Sequence, residues 1–220
     1  MNVSEAVLSR RSIRAFLDRP VDEQVLRRVF DRARWAPSGC NFQPWEATLL
    51  TGAPLGALQE RIAAARPQDP PEYSWSDPEV LPEFVARKRS VGMTMLEARG
   101  VARHDMEGRN AVQALNRVSF GAPALLLVYF PRVMGPPQWA DVGMWLQSVM
   151  LLLREEGLDS CPQIFLSIYA KQIKDFLGVS DETHIFFTGL AIGYRDPDAP
   201  VNNFVREREE VHSKVHFAGF

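Results

Sequence analysis

The chain lacks a hydrophobic run long enough to cross a membrane. Its 220 residues contain no stretch of about 18 consecutive apolar residues, and Met1-Asn2-Val3-Ser4 does not begin a signal peptide. The formal net charge is only −2, which argues against a general attraction to nucleic acid or to an anionic membrane surface. We therefore expect a cytoplasmic protein that binds neither nucleic acid nor membrane.

Cysteine is also scarce. The two cysteines, Cys40 and Cys161, lie far apart in the chain, and neither has a Cys or His neighbour at the spacing of a zinc site. A catalytic cysteine would need a histidine partner, and the four histidines form no recognisable arrangement with either thiol. We expect two reduced thiols and no metal site, with a catalytic cysteine left as an open alternative.

The glycine-rich motifs of nucleotide-binding proteins are missing. Neither Gly-x-Gly-x-x-Gly nor Gly-x-x-x-x-Gly-Lys-[Ser/Thr] occurs in the sequence. The chain therefore has no dedicated cradle for a dinucleotide or a triphosphate. A nicotinamide nucleotide, if the protein uses one, must bind in another way.

Hydrophobic residues make up 46% of the chain, enough to bury one sizeable core. Apolar positions between Val25 and Ala33 recur at helical spacing behind the candidate cap Asp22, which predicts an amphipathic helix that ends before Pro37. A second predicted helix, Trp139 to Glu156, is apolar around nearly all of its circumference. Such a helix is buried in the core or in a subunit interface, and one helix can be part of both.

Three short apolar runs predict buried strands at Ala47–Leu50, Ala124–Phe130 and Ile185–Ile192. Strands and helices alternate loosely, so the fold class is α+β or α/β. The residues after Tyr194 are mainly polar or charged and have little helical period. They indicate an arm of the kind that embraces a partner.

The segment from about Arg66 to Met106 differs from its flanks. Five prolines interrupt regular structure there, and large apolar side chains stand among charged ones. This mixture fits a lid or the wall of a substrate channel, and equally a surface excursion packed on the core. The candidates for an aromatic pocket wall, each of which could also be core, are Trp75, Phe84, Met93, Met106 and Trp139.

Two local motifs carry recognisable chemistry. Arg10-Arg11-Ser12-Ile13-Arg14 places three guanidinium groups and a hydroxyl within five residues, which suits a terminal monophosphate, although alone it could be a solvated basic surface. The stretch from Pro37 to Trp45 reads Pro-Ser-Gly-Cys-Asn-Phe-Gln-Pro-Trp. Gly39 allows close approach to a flat ligand, and Ser38, Asn41 and Gln43 offer neutral groups that could bind the edge of a heterocycle, unless the loop is an ordinary polar one.

These motifs, with the later stretch Gly189-Leu190-Ala191-Ile192-Gly193-Tyr194-Arg195-Asp196-Pro197-Asp198-Ala199-Pro200, resemble the pattern of the FMN-dependent nitroreductases. The resemblance covers nearly the whole chain and is closest to the nitrobenzoate-reductase-like branch. It implies one α+β domain over residues 1–220, a three-layer α/β/α arrangement around a mixed, mainly antiparallel sheet. A lid at about 66–116 and a C-terminal arm at 195–220, exchanged between the subunits of a homodimer, are also implied.

The same resemblance implies which residues hold FMN. Arg10, Ser12 and Arg14, with Arg11 adjacent, would contact the phosphate and ribityl chain, and Arg206 and Arg208 would complete the phosphate site. The loop residues would reach the flavin from the other subunit. Asn116 would lie at the edge of the isoalloxazine ring, and the stretch Pro162–Ile164 would offer backbone N–H groups near flavin N5 and O4. In chain order, the loop and ring-edge residues are Pro37, Ser38, Gly39, Asn41, Asn116, Pro162, Gln163 and Ile164.

The activity implied is a ping-pong transfer of hydride. NAD(P)H, a transient co-substrate, would reduce a tightly bound FMN and leave, and a small aromatic acceptor would then take the hydride, with no catalytic side chain required. A nitroaromatic acid is the first expected acceptor, with quinones or free flavins next. The alternatives are another enzyme on this scaffold, such as a reductive dehalogenase or an FMN-destroying oxygenase, and a flavin-binding module without turnover.

Overall fold

The computed structural model of the protein describes residues 1–74 and 81–220. Trp75, one of the candidates for a pocket wall, lies outside these ranges. Within them no helix is both long enough and apolar enough to span a lipid bilayer. The two cysteines are free, Cys161 buried and Cys40 exposed.

A four-stranded antiparallel sheet forms the centre of the protein. Its strands are β1 (Glu46–Thr51), β2 (Ala124–Pro131), β3 (Asp159–Gln163) and β4 (His184–Gly193), in the order β1-β2-β4-β3. A parallel bridge between Ser12 and Ser160 adds the amino-terminal segment beside the edge strand β3, so the pairing is mixed but mainly antiparallel. The three predicted strands and the α+β class are confirmed; β3 was not predicted.

The two faces of the sheet are covered by helices, which makes three layers. Alternate residues of β2 point to opposite faces, as the pleat requires: Leu126 and Val128 pack with one group of helices, and Leu125 and Leu127 with the other. The first face carries α2 (Glu23–Ala33) and α6 (Pro136–Glu155), and the second carries α3 (Gly52–Ala64) and α7 (Ala170–Leu177).

The helix α6 is the central core element of its layer. Seven of its residues are buried, among them Val142, Val149 and Leu153, and the Trp145 ring stacks on Trp45 with 5.9 Å between centroids. Each fully buried aliphatic side chain of this kind contributes roughly 1.5–3 kcal/mol to folding. The predicted burial of this helix is confirmed, although it begins earlier than predicted, at Pro136. Proline suits a first helical position, where its missing N–H is not needed.

The described part of the segment 66–116 contains the α-helices α4 (Pro82–Glu97) and α5 (Met106–Ala114). The interpretation of Pro82 as a breaker of regular structure was wrong, because it is the first residue of α4. Leu96 is the one buried residue of α4. Of the candidate wall residues, Phe84 and Met106 are exposed, whereas Trp139 packs edge-on against Tyr73 at 5.0 Å.

A buried charged cluster anchors the start of this segment. The Glu72 carboxylate accepts hydrogen bonds from Lys174 Nζ (2.5 Å), Arg132 Nη2 (2.5 Å) and the Phe186 backbone N–H (3.0 Å). The side chains of Glu72 and Lys174 are 4% and 0% exposed. Lys174 also contacts Asp181 and the His184 carbonyl, so every charge in the cluster has a partner.

A short helix stands at the amino end of the chain, and an irregular segment at its carboxyl end. The short α1 (Val3–Ser9) begins with a capping box in which Asn2 and Glu5 bond each other's backbone N–H groups. After β4 the residues form only two short 3₁₀ turns, Pro200–Asn202 and Val211–Ser213, as expected for an arm. Its apolar side chains Val205, Phe217 and Phe220 are exposed in the single chain.

Candidate functional site

The segment Arg10–Arg14 and the C-terminal arm meet beside β3. The Ile13 N–H donates to the Ser160 carbonyl at 3.0 Å, which fixes the segment to the strand. Arg206 donates to the carbonyls of Arg10 and Leu8, the latter at 2.8 Å, and Arg11 donates to the carbonyl of Phe204. Arg10, Arg11, Ser12, Arg14 and Arg206 are thus brought together, although they come from opposite ends of the sequence.

Asn202 holds this junction and was not recognised in the sequence. Its side chain is completely buried, and its Oδ1 accepts the Arg14 N–H at 2.9 Å. Its Nδ2 donates to the carbonyls of Ala15 (2.8 Å) and Asp196 (2.9 Å). One amide therefore ties the arm to the arginine segment. Sequence spacing gives no signal for it, because its partner Arg14 is 188 positions away.

The arginines repel one another. Burial lowers the pKa of Arg10, and the charges of Arg206 and Arg208 lower it further. Burial also lowers the pKa of Arg206, with Arg208 and Arg195 adding to the effect, so Arg208 belongs to the same cluster. A group of like charges held this close destabilises the chain unless an anion binds to it.

Arg195, which stands nearby, has its own counterion. It makes two hydrogen bonds to Asp159, of 2.7 and 2.6 Å, and these raise its pKa. Arg154 binds the same carboxylate at 2.9 Å. By contrast, within residues 1–74 and 81–220 no carboxylate forms an ion pair with Arg10, Arg11, Arg14, Arg206 or Arg208. We call these five residues the arginine cluster.

The Cys161 thiol lies beneath the cluster. Complete burial raises its pKa to about 11, although Arg14, Ser12 and Arg10 counteract this. The thiol is therefore protonated at neutral pH and is not a nucleophile. Its burial among Ser12 and the arginines fits a packing role.

Asn116 and Gln163 lie together at the end of β3. Gln163 Nε2 donates to the Asn116 carbonyl at 2.9 Å, and Gln163 Oε1 is buried with no partner among the described residues. Gln163 is two residues beyond Cys161 in the same strand, a rise of roughly 7 Å. Pro162 lies between them in β3, and Ile164 begins a 3₁₀ turn that runs to Tyr169. Gln113 and Arg117, which flank Asn116, line a cavity of about 610 Å³.

The loop Pro37–Trp45 is strained, and side chains accept hydrogen bonds from its backbone at Gly39 and Gln43. Cys40, Asn41 and Gln43 have left-handed backbone angles, with φ of 50°, 55° and 49°. The Gly39 N–H donates to Asp141 Oδ1 at 3.1 Å, and the Gln43 N–H donates to Ser38 Oγ at 2.9 Å. Asp141 lies on α6 and was missed in the sequence, where it looks like one more residue of a helix.

Within one chain, this loop and the arginine cluster lie near opposite ends of α6. The loop contacts Asp141 near the start of α6, whereas Arg154, near its end, binds Asp159 beside the cluster. Thirteen residues of α-helix separate the two positions, which is about 20 Å. Pro37, Ser38, Gly39 and Asn41 therefore form one part of the predicted site, and the remaining residues form another.

Arg99 is a further arginine at the site that the sequence did not indicate. It follows α4, and its Nη2 donates to the Arg14 carbonyl at 2.6 Å. Its Nε is buried without a hydrogen-bond partner in the described part of the chain. In that part of the chain, no group of three or more His, Cys, Asp and Glu side chains is placed to hold a metal ion.

Comparison with known proteins identifies the family of the chain. The chain is 36% identical to a 4-nitrobenzoate reductase of Pseudomonas putida over 97% of its own length and 94% of the relative's. The structure superposes with a TM-score of 0.95 on an FMN and NADPH-dependent nitroreductase, NfnB, from Sphigopyxis sp. strain HMH, at 45% identity and full coverage of both chains.

A third protein is similar over nearly its whole length. The FMN-dependent nitroreductase NfnB of Mycobacterium smegmatis, solved in complex with NADPH, gives a TM-score of 0.91 at 27% identity, covering 98% of this chain and 97% of that one. The model of the Nitroreductase family matches residues 7–194. The chain therefore belongs to the Nitroreductase family.

Proposed function

We propose that the protein is an FMN-dependent oxidoreductase that passes hydride from NAD(P)H to an aromatic acceptor, with nitroaromatic compounds as the first class. The observation that carries this proposal is the arginine cluster, whose five guanidinium groups have no carboxylate partners among the described residues. A phosphate monoester is a dianion with three acceptor oxygens, which matches such a cluster.

The residues next to the cluster fit the rest of the cofactor. Gln163 Oε1 is a buried acceptor without a partner in the described residues, and an N–H at the edge of the isoalloxazine ring would satisfy it. Gln163 Nε2 donates to the backbone carbonyl of Asn116, and Asn116 Nδ2 donates to the Gln113 carbonyl at 3.0 Å, so both amides are fixed in position before a ligand arrives. Preorganised polar groups of this kind orient a ligand at little entropic cost.

FMN held by the arginine cluster would supply the hydride transfer between a reduced nicotinamide and the acceptor. The chain's residues bind, orient and exclude water, and none is needed as an acid, base or nucleophile. The protonated, buried Cys161 agrees with this division of roles. Because the sequence has no dinucleotide motif, we propose that NAD(P)H and the acceptor use one pocket in turn, which is a ping-pong cycle.

A homodimer completes the proposed site. The loop Pro37–Trp45 is about 20 Å along α6 from the arginine cluster in one chain, so the loop of a second chain would supply it. Large apolar side chains are exposed on α1 and on the arm, as expected of surfaces that bury each other. They include Val3, Leu8, Val205, Phe217 and Phe220.

The relatives support the choice of acceptor. Two are named for nitrobenzoate reduction, from Pseudomonas putida and a Nocardioides species, and two similar structures are described as NADPH-dependent or NADPH-bound. We infer that a nitroaromatic acid is a substrate and that a reduced nicotinamide is the donor.

The test is an anaerobic absorbance titration of the purified protein. Flavin bands should disappear on addition of NADH or NADPH and return when 4-nitrobenzoate is added. Bands that do not respond to either nucleotide would favour a flavin-binding module without turnover. A colourless protein that cannot be reconstituted with FMN would contradict the proposal.

Substitution in the arginine cluster tests the phosphate assignment. Arg10→Ala should weaken FMN binding by roughly 10- to 150-fold, because one charge-assisted contact is worth about 1.5–3 kcal/mol. Arg27→Ala is the control, since Arg27 is exposed on α2 and pairs with Glu23. Equal FMN affinity in the two variants, measured by flavin fluorescence, would remove the assignment.

A further inference from the structure

Arg99 links the segment 66–116 to the arginine cluster. It stands two residues after the end of α4, and its Nη2 donates to the carbonyl of Arg14, a member of the cluster. The contact spans 85 positions of sequence. It ties the residues that follow α4 to the body of the protein.

Arg99 has a buried hydrogen-bond donor without an acceptor among the described residues. Within the described ranges, its buried Nε has no hydrogen-bond partner and no carboxylate forms an ion pair with it. Burial lowers its pKa, and the charge of Arg14 lowers it further. A buried guanidinium N–H without an acceptor costs free energy that an anion would recover.

The helix α4 depends on such ties because it buries little apolar surface. Leu96 is its one buried residue, and Phe84, Val85 and Val91 are exposed. Near its start, Arg87 pairs with Glu209 of the arm at 2.7 Å, but both side chains are more than a third exposed and such pairs contribute little. The carboxyl end of α4, next to Arg99, is therefore anchored more firmly than its start.

We propose that Arg99 is a further ligand of the FMN phosphate, and that phosphate binding fixes α4 against the body of the protein. The geometry supports this because Arg99 already bonds the backbone of Arg14 and has an unused buried donor beside it. The inference rests on the proposed function. It adds a connection between the cofactor's phosphate and a helix outside the Arg10–Arg14 motif.

Comparing FMN with riboflavin separates a phosphate ligand from a merely structural arginine. Reconstituted from the full-length apoprotein, Arg99→Gln should bind FMN roughly 10-fold or more weakly, the size expected for one charge-assisted contact. Its riboflavin affinity should equal that of the unaltered protein. Arg99→Lys, which keeps the charge but loses the planar fork, should lie between the two for FMN.

Two results would overturn the inference. One is an equal loss of affinity for FMN and riboflavin, which would mean that Arg99 only supports the fold. The other is unaltered FMN binding by Arg99→Gln. Arg103→Gln is the matched control, because it removes the same charge from an exposed position four residues later. If Arg10→Ala also leaves FMN binding unaltered, the proposed phosphate site itself is wrong. If Arg10→Ala weakens FMN binding and Arg99→Gln does not, the phosphate site stands and only the role of Arg99 is wrong.

Hydrogen exchange tests the coupling to α4. Amides of Pro82–Glu97 should exchange more slowly with FMN than with riboflavin bound, and this difference should vanish in Arg99→Gln. Inorganic phosphate added with riboflavin should restore part of the protection. Equal exchange with both flavins in the unaltered protein would show that the phosphate does not fix the helix.

Discussion

Asp141 shows how a single side chain connects the proposed flavin loop to the core. It is only 4% exposed, and its Oδ1 accepts the Gly39 N–H. The loop needs such support because Cys40, Asn41 and Gln43 adopt left-handed conformations, each of which costs about 1 kcal/mol or more. The second oxygen, Oδ2, is buried without a partner in the described residues.

We predict that Asp141→Ala destabilises the protein and loosens the loop. Leaving the Gly39 N–H without its acceptor should cost about 1–3 kcal/mol, measured as a lower midpoint in urea unfolding. FMN retention should fall as well if the loop reaches the cofactor. Asp175→Ala is the control, because Asp175 forms an exposed pair with Lys171 and should change stability by about 0.5 kcal/mol or less. Equal effects of the two substitutions would contradict the role of Asp141.

Among single residues, the sequence identifies as site candidates those that belong to short local motifs. Arg10, Arg14 and Gly39 belong to short motifs, so their spacing alone suggests a ligand. Asp141, Asn202 and Arg99 act on partners 102, 188 and 85 positions away. No local pattern carries that information, because it depends on how the helices and the arm pack.

Among the secondary-structure elements, periodicity predicts those whose burial is regular. Helices α2 and α6 and strands β1, β2 and β4 have clear apolar patterns, and the structure confirms them. The strand β3 has only five residues, one of them a proline, and resembles a turn in sequence. Its conformation comes from pairing with β4 and from the bridge to Ser12, which are tertiary contacts.

We predict that the buried cluster around Glu72 anchors the segment 66–116 to α7. Lys174→Met should destabilise the protein by on the order of 3 kcal/mol, because it leaves a buried carboxylate with one cationic partner fewer. The double variant Glu72→Gln with Lys174→Met should recover part of this loss, since both buried charges are then removed. Urea unfolding of Lys174→Met, Glu72→Gln and the double variant gives the interaction free energy between Glu72 and Lys174.

The helix α7, which carries Lys174, also offers a matched control. Lys171→Met removes a lysine of α7 whose partner Asp175 is exposed, so its effect on unfolding should be small. If Lys174→Met were no more destabilising than Lys171→Met, the buried cluster would not hold the segment. Faster hydrogen exchange over residues 66–74 in Lys174→Met would identify the part of the chain that the cluster anchors.

For the whole molecule, the distribution of apolar surface points to assembly. The arm ends in exposed apolar side chains, Val211, Val215, Phe217 and Phe220, which a single chain leaves in water. At the same time the loop Pro37–Trp45 and the arginine cluster lie apart within one chain. Both observations are explained if two copies bury their arms on each other and each completes the other's site.

The last prediction tests this assembly. Replacing Phe217 and Phe220 by aspartate should halve the mass measured by light scattering at micromolar concentration, because charges on the arm oppose its burial. FMN should be lost together with the dimer, since the cluster would lack the second chain's loop. Lys214→Ala, in the same stretch, removes a charge but no apolar contact and should leave the mass unaltered. If the unaltered protein were a monomer that still retained FMN, Ser38 and Asn41 could not act across a subunit boundary, and the loop would need a function within its own chain.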